Sequence, residues 1–201
     1  MVVAAPLNGP DVEHNGGVTW TSTKGKLLIA SPTLDDGVFD RTVLYMLEHN
    51  AEGALGVVIN RPSDAFDVPG LDAWENMLSP PAVVFAGGPV EQQVVIGLAV
   101  ADAREGSAWT PITERVGSID LSSEPSEVAP VIDRARVFRG YAGWSPGQLD
   151  SELAVEAWIV VDARTSDVFS GAPDHLWRAV LARQPGRLSW LAHYPDDLTT
   201  N

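Results

Sequence analysis

The chain has 201 residues, 45% hydrophobic and 20% charged, which is the composition of a globular protein of one domain. It contains no cysteine, which excludes disulfides, zinc–thiolate sites, iron–sulfur clusters and a cysteine nucleophile. The net charge of −14, from 13 Lys and Arg against 27 Asp and Glu, disfavours direct binding to nucleic acid or to an anionic membrane.

The amino-terminal sequence carries no export or membrane signal. Met1–Pro10 has no Lys or Arg and no long apolar run, and no stretch of the chain approaches the ~20 apolar residues of a membrane span. We therefore expect a cytoplasmic protein. Met1–Lys24 is rich in turn residues and has no periodic pattern, which predicts a flexible segment before a single domain at residues 25–201.

The first part of the domain reads as β-structure. Lys26–Ala30 is a short apolar run and predicts a buried strand. Arg41–Leu47 and Ala54–Ile59 are rich in β-branched residues, and the short loop Glu48–Gly53 joins them, which predicts an antiparallel hairpin.

The middle of the chain mixes both kinds of element. Leu71, Trp74, Met77 and Leu78 share one helical face, which predicts a helix over Gly70–Leu78. Further strands are predicted at Val83–Ala86 and Val94–Val100, weaker ones at Ser107–Thr110 and Gly117–Leu121, and a short helix within Pro125–Arg134.

The last part alternates strands and helices. The predicted elements are a strand at Val137–Tyr141, a helix from Pro146 to about Glu156, a strand at Trp158–Val161 and a helix at Asp174–Arg183. Trp190, Leu191 and Tyr194 are expected to dock the tail on the core. Strand pairs interrupted by helices predict an α+β fold with a mostly antiparallel sheet and flanking helices.

Gly143-Trp144-Ser145-Pro146-Gly147 matches G-x-S-x-G, the nucleophile elbow of α/β-hydrolases. In that elbow the N–H after the serine forms part of the oxyanion hole, and Pro146 has none. Loss of one such donor costs on the order of 10²–10³ in rate. We therefore interpret Ser145 as a helix N-cap that forms a capping box with Gln148, and we expect no catalytic residue here.

A second glycine motif, Gly87-Gly88-Pro89, lies between two predicted strands. It lacks the following helix and the Lys-Ser/Thr ending of a phosphate-binding loop. We predict a tight turn in which two backbones approach closely.

A few polar residues are candidates for binding. Arg41, Arg61 and Arg139 lie in or beside apolar strands, so each requires a carboxylate or an anion as partner. A structural ion pair is the expectation for each, and an anion-binding groove shared with His49, Asn60 and the 139–148 turn is the alternative. The four histidines lack metal-ligand spacing, so we expect neither a metal nor a cofactor.

Several segments taken together resemble the YqgE/AlgH family of bacterial proteins. They are Gly25–Pro32, Phe39–Val43 with Glu48-His49, Gly53–Pro62, Gly87–Val90 and Phe138–Leu149, in which Gly140, Gly143 and Trp144 precede the Ser145 turn. The resemblance implies a compact α+β fold with a partly barrel-like sheet. It implies little chemistry, because the family is largely of unknown function and has no established catalytic residues.

Part of this family carries the label of a transcriptional regulator of alginate synthesis, which the negative charge makes plausible only as indirect regulation. The family pattern also leads us to expect a basic residue after Val90 and a strand ending in Leu-His, whereas this chain has Glu91–Val100 without either.

Two hypotheses about function follow from these observations. The first is a non-enzymatic binding or interaction domain with an unknown protein or small-molecule partner, and the second is a small-anion or metabolite site, or an enzyme, at the groove of Arg41, His49, Arg61 and the 139–148 turn.

Overall fold

The computed structural model describes residues 21–34, 37–65, 67–101 and 109–195. Most of the segment predicted to be flexible, residues 1–20, lies outside this range. At its end, Thr23 is buried just before the first strand. Residues 107 and 108 of one predicted strand also lie outside the described part.

Ten strands form the sheet in the described part of the chain. They are β1 Lys26–Ala30, β2 Val43–Asn50, β3 Gly53–Val58, β4 Pro62–Ser63, β5 Val84–Ala86, β6 Val90–Ala101, β7 Trp109–Pro111, β8 Val116–Ile119, β9 Ile132–Trp144 and β10 Trp158–Asp162. β2 and β3 pair antiparallel, so the predicted hairpin is confirmed. β9 is much longer than the predicted strand at Val137–Tyr141, because residues 132–135 continue the pairing with β6. The short helix predicted within Pro125–Arg134 is present at Pro125–Val128.

The helices are short. They are α1 Pro125–Val128, α2 Gln148–Ala154, α3 Thr165–Val168, α4 Leu176–Ala182 and α5 Leu188–Leu191, with 3₁₀ turns at Leu71–Met77 and Pro173–His175. The helix predicted over Gly70–Leu78 is therefore a 3₁₀ segment, and the one predicted over Asp174–Arg183 begins with another. None of the described helices is long and apolar enough to cross a membrane.

The main path of the sheet has the order β10-β1-β2-β3-β9-β6-β8-β7, and β5 also pairs with β9 and with β4. Among the strands of the described residues, every pairing is antiparallel except that between β5 and β9. The sheet curls into a half-barrel, so the predicted α+β class with a mostly antiparallel, partly barrel-like sheet is confirmed.

The core lies on both faces of this curled sheet. Leu27 and Ile29 of β1 point to a cluster covered by α4, whereas Leu28 and Ala30 point to a cluster covered by α2. A third cluster packs beneath Trp74 of the first 3₁₀ turn. The strict alternation along β1 follows from the pleat of a strand buried on both faces.

The connection between β5 and β6 crosses β9. Residues 137–139 of β9 pair with β5 along one edge and with β6 along the other. Only Gly87-Gly88-Pro89 joins β5 to β6, so three residues carry the chain over a strand. The two backbones must therefore be in direct contact.

Glycine makes this contact possible. A Cβ atom at Gly88 would lie 2.2 Å from the carbonyl carbon of Tyr141, and one at Gly87 would lie 2.3 Å from the carbonyl oxygen of Gly140. Gly140 itself has φ 71°, and its Cβ would lie 2.5 Å from the carbonyl oxygen of Gly88. The close backbone approach predicted for Gly87-Gly88-Pro89 is confirmed.

Gly140→Ala and Gly147→Ala form a matched pair, because both glycines have φ 71° but only Gly140 has a neighbour within 4 Å of the added Cβ. The positive φ alone costs an alanine about 1–2 kcal/mol. We expect Gly147→Ala to lower the free energy of unfolding by about that amount, and Gly140→Ala to lower it by roughly 2 kcal/mol more through the clash. Urea unfolding measures both, and equal losses would contradict the crossing as described.

Candidate functional site

Three of the predicted binding residues meet at one corner, where the chain enters β2 and leaves β3. The Asn60 Oδ1 atom accepts the Val43 N–H at 2.8 Å, and its Nδ2 atom donates to the Arg41 carbonyl at 2.9 Å. Arg61 donates to the carbonyls of Val38 at 2.6 Å and Asp40 at 3.2 Å. The partners of Arg61 are thus main-chain oxygens, so the predicted ion pair with a carboxylate is wrong for this residue.

Arg41 joins the same corner to the carboxy-terminal part of the chain. Its guanidinium carbon lies 5.0 Å from the centroid of the Trp177 ring, in cation–π geometry. The guanidinium also donates to the carbonyls of Tyr194, at 3.4 Å, and Pro195. Arg41 therefore holds the residues after α5 against α4.

His49 lies near the far end of β2, separated from Arg41 by about 25 Å of extended chain. Its ring is buried, with 3% exposure for the residue. The Thr23 N–H points to Nδ1 at 3.3 Å, so Nδ1 is the acceptor and the ring proton belongs on Nε2. Nε2 faces the Asp150 carboxylate at 3.6 Å, which agrees with a histidine satisfied within the fold.

Arg139 lies on β9 beside the glycine crossing. Its Nε atom donates to the Gln92 carbonyl at 2.7 Å, across the irregular pairing at the start of β6. The structure therefore groups Arg41, Asn60 and Arg61 but places His49 at a separate position. Glu91 stands where the family pattern has a basic residue after Val90. Burial, and to a lesser extent the neighbouring Glu91 carboxylate, raises the pKa of the Tyr141 hydroxyl.

The turn after β9 differs from the predicted helix cap. The Gln148 N–H donates to the Ser145 carbonyl at 3.0 Å, and Gly147 has φ 71° and ψ −2°, which is a type II turn with Pro146 at its second position. Helix α2 begins only at Gln148, and its N-cap is Gly147. Half of the predicted capping box is present, since the Gln148 side chain accepts the Ser145 N–H at 3.1 Å.

Ser145 is exposed at this turn, and its hydroxyl makes no hydrogen bond to any residue in the described ranges. A serine nucleophile is activated by a neighbouring base, and Pro146 still supplies no N–H for an oxyanion. The local geometry is that of a strand-to-helix joint.

Glu152 fixes α2 on the sheet. Its Oε2 atom accepts the indole N–H of Trp144 at 2.9 Å and that of Trp158 at 2.7 Å, while Oε1 accepts from Gln148 at 3.0 Å. The two rings meet edge to face, with centroids 6.1 Å apart. One carboxylate thus joins the end of β9, the start of β10 and the helix between them.

Arg136, on β9, is a fully buried cation without a carboxylate partner among the described residues. The guanidinium carbon of Arg136 lies 4.3 Å from the centroid of the Phe85 ring. The Nε atom of Arg136 has no hydrogen-bond partner among the described residues. Burial, aided by the nearby charge of Arg134, lowers its pKa to about 10. The guanidinium donates to three carbonyls, those of Pro80 at 2.7 Å, Ser170 at 2.9 Å and Val168 at 3.1 Å.

A cleft of about 420 Å³ opens next to these carbonyls. Pro81 and Gly171 line this cleft, and each is adjacent in sequence to a residue whose carbonyl accepts a hydrogen bond from Arg136. Arg136 therefore links two segments of the chain that line the cleft. Asp64, Asp174 and His175 supply the polar groups of its lining.

Sequence reasoning missed Arg136, Glu152 and the exposure of Trp190. Arg136 directly precedes the strand predicted at Val137–Tyr141, so the pattern did not mark it as a core residue. The contact of Glu152 with two indoles joins separate elements, and no local spacing reveals it. Trp190 was expected to dock the tail, yet it is 73% exposed while Leu191 and Tyr194 pack on the core.

Glu152→Ala is expected to lower the free energy of unfolding by about 3 kcal/mol, because two buried indole N–H groups lose a charged acceptor. Glu152→Gln keeps one acceptor oxygen and should cost about 1 kcal/mol. Urea denaturation followed by tryptophan fluorescence measures both variants. Glu127→Ala, on the exposed side of α1, is the control, and a Glu152→Ala variant as stable as this control would contradict the anchoring role.

Among the described residues, no group of three or more His, Asp or Glu side chains could hold a metal ion.

Comparison with known proteins identifies relatives of the chain. The AlgH-like family model matches residues 27–189. UPF0301 proteins of Streptomyces coelicolor and Rhodococcus opacus are 43% and 42% identical to the chain, covering 90% and 88% of it and 96% and 90% of their own lengths.

Two solved structures share the fold. The crystal structure of a protein from Corynebacterium diphtheriae matches with a TM-score of 0.77 and 30% identity, over 90% of this chain and 94% of that one. The solution structure of the AlgH protein from Pseudomonas aeruginosa matches with a TM-score of 0.65 and 29% identity, over 91% of this chain and all of that one. By sequence and by fold, this chain belongs to the AlgH-like, or UPF0301, family of bacterial proteins.

Proposed function

We propose that this chain is a non-enzymatic protein-interaction domain of the cytoplasm that takes part in regulation indirectly. The observation that carries the proposal is Trp190 on α5, which is 73% exposed. Tryptophan is enriched at interface positions that dominate binding energy, and burying a large apolar side chain against a partner lowers the free energy of the complex. We therefore take α5 as a contact surface.

The polar chemistry of the described residues supports binding rather than catalysis. The Ser145 hydroxyl has no hydrogen bond to a base within the described ranges, and the arginines nearest the predicted groove donate to main-chain carbonyls. The net charge of −14 favours a basic or neutral protein over a nucleic acid.

Affinity capture from the native bacterium with the tagged chain tests this proposal. We expect the wild type and Trp190→Phe to enrich the same protein, and Trp190→Ala to lose about tenfold or more of it, as for an interface hot spot. Arg187→Ala, an exposed change beside the same helix, should leave the enrichment unchanged. The captured protein must then bind the purified chain directly, and equal capture by Trp190→Ala, or no reproducible partner, would refute the proposal.

The second candidate function is binding of a small anion or an anionic metabolite at the corner of Arg41, Asn60 and Arg61. The observation that favours it is that two arginines, Arg41 and Arg61, lie at this corner of an otherwise acidic chain. Under this proposal His49 acts elsewhere, since it lies near the far end of β2.

Sulfate is the probe for this alternative. We expect sulfate to raise the melting temperature of the wild type more than chloride does at equal ionic strength, because a ligand that binds only the folded state stabilises it. Arg61→Gln should remove the difference, and Arg187→Gln should retain it. The same sulfate effect in Arg61→Gln and the wild type would exclude the corner as the site.

A further inference from the structure

β10 forms one edge of the sheet, and among the described strands it pairs with β1 alone. The Ser31 N–H donates to the Ala157 carbonyl at 3.0 Å, in the same register as the pairs Ile29–Ile159 and Leu27–Val161. Hydrogen-bonded pairs alternate along an antiparallel ladder, so the backbone groups of 158, 160 and 162 point away from the sheet.

Most of these outward groups are open. The Asp162 carbonyl accepts from Arg183 at 3.3 Å. Trp158 and Val160 each present an N–H and a C=O with no partner among the described residues. A free edge of this kind is a template for another strand, and natural proteins usually block such edges with bulges, prolines or lysines. β10 carries none of these.

The side chains around the edge are apolar and acidic. Val160 is 38% exposed on the same face as Trp158, and Val155, just before the strand, is 75% exposed. Glu156 is exposed and has no ion-pair partner in the described part of the chain. At the other end Asp162 is already paired with Lys26 at 3.0 Å, so the uncompensated negative charge lies at the Glu156 end.

We propose that β10 accepts an extended segment of a basic protein partner as an added antiparallel strand. Strand addition draws affinity from main-chain hydrogen bonds and specificity from alternate side chains. Antiparallel register places a β-branched residue of the partner opposite Val160. Glu156 lies in the turn just before β10, so a Lys or Arg that follows the added strand can approach its carboxylate. This inference rests on the proposed function for its partner being a protein, but it concerns a different surface from Trp190.

A synthetic peptide with the core Val-Thr-Val-Thr-Lys is the probe, and the same peptide ending in Glu is its control. In ¹⁵N–¹H correlation spectra we expect the Lys peptide to shift the amides of β10 and to slow hydrogen exchange at Trp158 and Val160. The Glu peptide should bind about tenfold or more weakly.

Two variants of the chain sharpen the test. Val160→Pro removes an outward N–H without breaking the ladder to β1, so it should abolish peptide binding while the fold persists. If that variant is unstable, Glu156→Lys decides instead, because it should reverse the preference between the two peptides. Glu124→Lys, which makes the same charge change at an exposed site on another part of the surface, should not alter the preference.

The outcomes separate the two proposals. Absence of peptide binding, shifts away from β10, or binding indifferent to both variants would overturn strand addition, even if affinity capture through Trp190 succeeds. Protection of the β10 amides in the protein alone, rising with its concentration, would also overturn it, because the occupant would then be a second copy of the chain.

Discussion

The connection between β5 and β6 passes over β9 with only three residues, so its backbone lies in direct contact with the backbone of β9. The architecture of the sheet depends on this backbone contact. β9 pairs with β5 and β6 along its first part and with β3 beyond Gly140. It therefore joins the two halves of the curled sheet. The Gly87 carbonyl also accepts the Val58 N–H at 2.8 Å, so the crossing segment is itself bonded to β3. A side chain at Gly87, Gly88 or Gly140 would force these strands apart.

Four arginines of this acidic chain make the same kind of contact. Arg41, Arg61, Arg136 and Arg139 all donate to main-chain carbonyls. A planar guanidinium with several fixed donors can satisfy two or three such oxygens at once. These four arginines thus stabilise the backbone that they contact, whereas Arg183 pairs with the Asp167 carboxylate.

The sequence was most informative where local pattern decides structure. Apolar β-branched runs predicted β1, the β2–β3 hairpin and the apolar face of α4, and the glycines of the crossing were recognised as a close approach. Prediction failed where contacts between distant elements override local preference. Residues 132–135 join β9 because β6 is available to pair with them, and a type II turn at Pro146-Gly147 delays the helix predicted to start there.

The candidate site was harder to predict, because it depends on which side chains meet in space. The spacing of Arg41, Asn60 and Arg61 around a hairpin was enough to group them, since β2 and β3 are neighbours. His49 could be separated from them only once the length and direction of β2 were known. The exposure of Trp190 could not be read from a four-residue helix, which is too short to show a period.

Burial of Arg136 restricts how this part of the core can evolve. Apolar core positions exchange for one another when volume is preserved, but here three carbonyl oxygens require donors in fixed directions. Lysine offers a single nitrogen on a flexible stem, and an apolar side chain offers no donor. Sequence drift at this position is therefore limited by hydrogen-bond geometry, and a loss of the arginine would leave the carbonyls of Pro80, Val168 and Ser170 without this donor.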